Sequence, residues 1–120
     1  MKQNVIKDKS FNFSLRIIKL SQFLQESKKE YILSKQIMRS GTSIGALIRE
    51  ALQAESKADF IHKLSISQKE AAETEYWLEL VYKSDFIDEN QYSSLITDLT
   101  ELIKMLASII ITTKKSINKL

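Results

Sequence analysis

Apolar residues recur along this chain at steps of three and four, the period of one face of an α-helix. Phe13, Ile17, Leu20 and Leu24 form the first stripe and predict a helix over about 11–25, with Ser10 as its N-cap. Leu33, Ile37, Ser40, Gly41, Ile44, Ile48 and Ala51 predict a second over about 28–53, where Ser27 and Glu30 stand at the spacing of a capping box. Phe60, Leu64, Ser67, Ala71, Thr74, Leu78 and Val81 keep a regular heptad seam and predict a third over about 57–84. Ser56 would cap it, and Asp59 would set negative charge in its first turn. Tyr92, Leu95, Leu99, Leu102, Leu106, Ile109 and Thr113 repeat the seam over about 89–117. Asp88 and Gln91 are spaced to cap this fourth helix, with Ile87 and Tyr92 placed as a hydrophobic staple.

Four amphipathic helices joined by turns of a few residues predict an all-α fold, an antiparallel up-down-up-down four-helix bundle forming one domain over 1–120. The chain has no proline and two glycines, too few turn residues for a sandwich or an α/β domain of 120 residues. Ile18, Ile32, Met38, Ile61, Ile66, Trp77, Ile96, Ile103 and Ile110 lie off the stripes and widen the apolar faces. They are either part of a broad core stripe or surface buried between subunits. No apolar run approaches the length of a membrane span, and residues 1–9 lack the apolar core of a signal peptide. The expectation is a cytoplasmic protein with no membrane partner. The absence of cysteine excludes disulfides and thiolate chemistry.

The net charge of +3 is unevenly laid out. Residues 1–39 carry nine Lys/Arg against three Asp/Glu, residues 40–113 carry six against twelve, and Lys114, Lys115 and Lys119 make a basic tail. Such segregation suits polyanion binding, assembly between unlike halves, or plain solvated faces. Lys19, Lys28, Lys29, Lys35 and Arg39 are the candidate nucleic-acid contacts, and they would act on phosphates in a salt-dependent, sequence-tolerant way. Lys2, Lys7, Lys9 and Arg16 add to the same positive field. Phe11, Phe13 and Phe23 read as core, leaving Tyr31 as the exposed ring for base stacking.

Arg39-Ser40-Gly41-Thr42-Ser43-Ile44-Gly45-Ala46 places two glycines inside a helix, each costing about 1 kcal/mol against alanine. Ser40, Gly41, Thr42, Ser43 and Gly45 therefore read as a small-residue surface for close helix packing or a subunit interface. A phosphate-binding loop would need the Walker spacing and a Gly-Lys-Ser/Thr ending, which the stretch lacks. Glu70 and Glu73 lie one turn apart and could act as an acid–base pair. With Arg39 they read more simply as an ion-pair network within or between subunits, and Trp77, off the stripe, reads as a helix-packing or subunit-interface residue. Asp59 stands four residues before Lys63 as a favourable helical pair. His62 is the one histidine, Glu-x-x-His does not occur, and neither Ser40 nor Ser43 has a histidine-plus-acid arrangement. No catalytic residue, metal or cofactor is expected, and the chain does not read as an enzyme.

The ordered motifs Arg39 to Ala46, Glu50-Ala51, Ser56-Lys57-Ala58-Asp59-Phe60 and Lys69 to Leu78 resemble the 23S rRNA-intervening-sequence proteins, also called four-helix-bundle proteins. The resemblance covers residues from Phe11 to about Ile117. One departure is Leu47, where the family pattern usually has asparagine after Gly-Ala. The resemblance implies a bacterial protein, often encoded within an insertion in a ribosomal RNA gene, that assembles into a ring, typically a homopentamer. A distant relative, the accessory protein of diversity-generating retroelements, is a basic pentamer that binds nucleic acid and a reverse transcriptase. The functional expectation is a non-enzymatic, self-assembling helical module that binds or scaffolds, with structured RNA as the candidate partner. A protein–protein adaptor is the alternative.

Overall fold

The computed structural model describes residues 2–118, with side chains described from Asn4 onward. The order is α1 (Lys2–Lys28), α2 (Leu33–Leu52), α3 (Lys57–Lys83) and α4 (Glu89–Asn118). The fold is all-α, a bundle of 54 × 22 × 21 Å. Each helix packs on its sequence neighbours and α4 closes back on α1, while the diagonal pairs do not meet. The contact registers make every seam antiparallel. Ser21 meets Ser34 and Ile17 lies against Gly41 in α1–α2, and Ser40 meets Thr74 and Ser67 meets Ile44 in α2–α3. Tyr82 and Lys57 meet Tyr92 and Ser116 in α3–α4, and Lys9 and Arg16 meet Glu101 and Asp98 in α1–α4. The α1–α4 seam is the loosest of the four.

The predicted stripes form the core. Phe13, Ile17, Leu24, Ile37, Ile44, Ile48, Leu64, Leu78, Leu99, Leu102 and Leu106 are almost completely buried. Small polar residues fill positions where helices run close: Ser10, Ser21, Ser34, Ser40, Ser67 and Thr74 are also buried. Every buried side-chain nitrogen or oxygen among the described residues has a hydrogen-bond partner, as burial of polar atoms requires.

Two helix starts differ from the sequence expectation. The first helix begins at residue 2, not near 11, and Ser10 is no cap but a buried mid-helix residue whose hydroxyl donates to Lys7 O at 3.0 Å. Its small size lets the stripe continue backwards through Ser10 to buried Ile6 at unbroken steps of three and four. The second helix begins at Leu33 instead of 28, because Lys29 takes the left-handed conformation (φ 55°) and ends α1. Glu30 N donates back across that turn to Leu24 O at 2.9 Å, which closes the end of α1. Ser27 caps nothing. The Glu30 carboxylate instead accepts from the backbone N–H groups of Ile32, Leu33 and Ser34 at 3.2, 3.0 and 2.7 Å. One carboxylate thus satisfies three donors of the start of α2 and supplies the negative charge its dipole favours.

The other two starts follow expectation. Asp59 N donates to the Ser56 hydroxyl at 3.0 Å. Asp88 and Gln91 form a reciprocal capping box, Gln91 N on Asp88 Oδ1 at 2.7 Å and Asp88 N on Gln91 Oε1 at 2.9 Å.

Candidate functional site

The α1–α2 turn holds three of the predicted phosphate contacts near one end of the bundle. Lys28 closes α1, Lys29 occupies the left-handed position, and Lys35 lies in the second half-turn of α2. All three are exposed, as is Lys19 further back on α1. The Lys29 ammonium donates to Glu26 O at 3.0 Å, and Lys28 Nζ stands 5.8 Å from the centre of the Phe23 ring. None of these four lysines is in a salt bridge among the described residues, whereas Lys9, Arg16, Arg39 and Lys63 each pair with a carboxylate.

Arg39, the fifth predicted contact, is drawn away from this group. Its guanidinium donates to both carboxylate oxygens of Glu70 at 3.3 Å and also binds Glu73. Trp77 Nε1 donates to the same Glu73 oxygen at 2.9 Å. The four residues form one network along the α2–α3 seam, and both carboxylates of the candidate acid–base pair are committed to it. Asp59 does not pair with Lys63. Its carboxylate accepts from Glu55 N at 3.3 Å, and Lys63 reaches Glu50 at 3.2 Å. The α3–α4 turn also brings Asp85 and Asp88 beside Lys28 around a groove of about 430 Å³. The basic half of the sequence is thus partly balanced in space by acids from the other half. Lys119 of the tail and the side chain of Lys2 lie outside the described residues.

The small-residue stretch sits where α1 and α2 approach. A β-carbon on Gly41 would lie 2.8 Å from Ile17 Cγ1, and one on Gly45 would lie 3.3 Å from the backbone oxygen of Ser10. Thr42 and Ser43 donate back to Met38 O and Arg39 O at 2.7 and 2.6 Å. Ser40 Oγ lies 3.0 Å from Thr74 Oγ1, which itself donates to Glu70 O at 2.7 Å. The hydroxyls of this stretch are therefore engaged in packing, and Leu47 is half-buried. His62 is exposed. No three His, Cys, Asp or Glu side chains group to hold a metal among the described residues.

Two features escaped the sequence reading. Phe11 is 48% exposed, not core: it lies two residues from buried Phe13, about 200° round the helix. Beside it Leu15 is 46% exposed, and the Arg49 guanidinium covers the Phe11 ring at 5.1 Å. Helical periodicity alone could have found this. The second is Phe23, half-buried on the α1–α4 seam instead of sealed in the core. Tyr31 is exposed, as expected.

The family model for 23S rRNA-intervening sequence proteins matches residues 2–108. The chain belongs to the 23S rRNA-intervening sequence protein family. Among solved structures it is similar to the 1.70 Å crystal structure of a protein with unknown function from the S23 ribosomal protein family of Bacteroides thetaiotaomicron. Identity is 59%, covering 92% of this chain and 98% of that one, with a TM-score of 0.91. None of the curated proteins compared matches this chain. Neither family description names a reaction. No helix of this intervening sequence protein is long and apolar enough, among the described residues, to cross a membrane.

Proposed function

We propose that this one-domain bundle is a non-enzymatic, self-assembling, cytoplasmic module that binds structured RNA through the lysines around the α1–α2 turn. The observation that carries the reading is the partition of the cations. Lys19, Lys28, Lys29 and Lys35 are exposed and free of salt bridges among the described residues, while Arg39 is held by carboxylates. Ammonium groups outside any salt bridge can displace counterions from phosphates without first giving up a carboxylate partner. Self-assembly is supported by exposed Phe11 and Leu15. A homopentameric ring, as the resemblance implies, would repeat the lysine cluster five times around one axis. A ring interface joins two different patches of each copy, so this apolar face would meet another surface of its neighbour. Ser40, Gly41, Thr42, Ser43, Gly45, Glu70, Glu73 and Trp77 act in this reading within each subunit, as the packing that holds α1, α2 and α3 together.

The test is fluorescence anisotropy of a labelled, structured ribosomal RNA fragment across a salt series, with the solution mass recorded on the same sample. Micromolar binding that falls steeply with salt and weakens in Lys28→Glu/Lys29→Glu supports the reading. Undiminished binding by that variant removes the turn from the site. A second reading, a protein–protein adaptor with no nucleic-acid binding, is favoured by the exposed apolar side chains of Phe11, Leu15, Ile32 and Tyr76. A well-assembled oligomer with no RNA affinity at low salt would select it.

A further inference from the structure

The loose α1–α4 seam leaves a groove of about 330 Å³ whose α1 wall is Arg16, Lys19, Leu20 and Phe23 and whose α4 wall is Gln91 and Leu95. Positions 16, 19, 20 and 23 share one helix face, so Lys19 stands one turn from the Phe23 ring. The groove continues past Phe23 and Gln91 into the one that Lys28 shares with Asp85 and Asp88. Phe23 is thus a half-buried ring with Lys28 Nζ over it, 5.8 Å from its centre, and with Lys19 lining the same groove one helical turn back.

We propose that Phe23 is a stacking platform for an unpaired base of RNA, with flanking phosphates held by Lys19 and Lys28. This rests on the RNA-binding reading above and names the form of RNA the site takes. The charges suit a strand laid along α1. Arg16 is already neutralised by Asp98 at 2.6 Å and fixed to Ser94, so Lys19 and Lys28 are the cations left for phosphate. They lie about 13 Å apart along the helix axis, one on each side of the ring. Asp85 and Asp88 repel phosphate from the far side and confine the backbone to the α1 edge. Gln91 Oε1 accepts from Asp88 N, and Gln91 Nε2 has no protein acceptor among the described residues. That amide is free to donate to a base edge. A duplex keeps its bases stacked on one another and offers Phe23 no π-face, whereas a looped or single strand does.

The test compares binding of a short labelled single-stranded RNA and a duplex of equal length to the full chain at low salt. Wild type should prefer the single strand. Phe23→Leu should lose roughly 5-fold or more of single-strand affinity, the lower bound of one base–aromatic stack, while Phe23→Tyr keeps it. Lys19→Glu should weaken both RNAs and flatten the salt slope. Photocrosslinking of a halogenated-uridine single strand to the wild-type protein should mark the peptide containing Phe23, a readout independent of any variant's folding. Equal binding of both RNAs with Phe23→Leu unchanged, or a crosslink mapping elsewhere, overturns the platform while leaving phosphate binding intact. Failure of the wild type to bind either RNA removes the RNA reading and the platform with it.

Discussion

Gly41 of α2 lies so close to Ile17 of α1 that an added β-carbon would stand 2.8 Å from Ile17 Cγ1 and 2.9 Å from its Cγ2. Ile17 is fully buried and β-branched, so its χ1 has one comfortable value in a helix and the ring of neighbours leaves it nowhere to turn. Gly41→Ala gains about 1 kcal/mol of helix propensity but incurs an overpacking penalty of about 1–3 kcal/mol. The variant is expected to be destabilised by roughly 1 kcal/mol in urea titration. Gly45→Leu, which must displace the α1 backbone at Ser10, is expected to lose several times more and to disturb assembly. A wild-type melting temperature and mass for Gly45→Leu would refute the close-approach account of both glycines.

Arg39 bridges two carboxylates, yet its side chain is 49% exposed. Solvent screens such a pair, so Arg39→Ala is expected to cost no more than about 1 kcal/mol. The difference from wild type should shrink as salt rises, since the interaction is Coulombic. A loss that is large and indifferent to salt would mean that the arginine acts by packing its alkyl stem instead.

Asp85 ends α3 as Lys29 ends α1, in the left-handed conformation, with φ 65°. Phe86 N closes the turn on Val81 O at 2.9 Å. A residue with a β-carbon pays about 1 kcal/mol or more for that conformation, which glycine adopts freely. Asp85→Gly is expected to stabilise the bundle by about 0.5 kcal/mol after the added freedom of the unfolded chain is discounted. Thermal unfolding of the two proteins side by side measures it.

Tyr92 stacks on Tyr82 with ring centres 4.3 Å apart, and burial, then the charges of Glu79 and Glu75, raise its hydroxyl pKa above 10. The folded state therefore holds this proton more tightly than the unfolded chain does. Its contribution is complete below pH 10 and is lost as pH rises through the higher folded value. Tyr92→Phe is expected to show a shallower fall in stability above pH 10 than wild type. Identical alkaline limbs in the two proteins would remove Tyr92 as a source.

The four helices were legible because each stripe holds its period for about three turns or more, and only helices bury such stripes. The starts of α3 and α4 were legible because Ser56 and Asp88 cap by short-range bonds. The start of α2 was not. Its cap is a glutamate reaching forward to three amides, and the preceding turn uses a lysine where glycine would have signalled it. The candidate site was half legible. Exposed lysines can be counted in a sequence, but the pairing of Arg39 with Glu70 across 31 positions depends on which helices adjoin. The place of Phe23 depends on a seam being loose, which no local pattern encodes.

The unequal seams also give the bundle a direction of opening. Glycines let the α1 and α2 backbones touch, and small hydroxyl residues do the same for α2 and α3. Across α1–α4, contact is made in large part by long exposed side chains, Lys9 to Glu101 and Arg16 to Asp98. The molecule behaves like a book with its spine at α2–α3 and its fore-edge at α1–α4. Thermal breathing should part the fore-edge first, so amide protons along α4 facing α1 should exchange before those of α2.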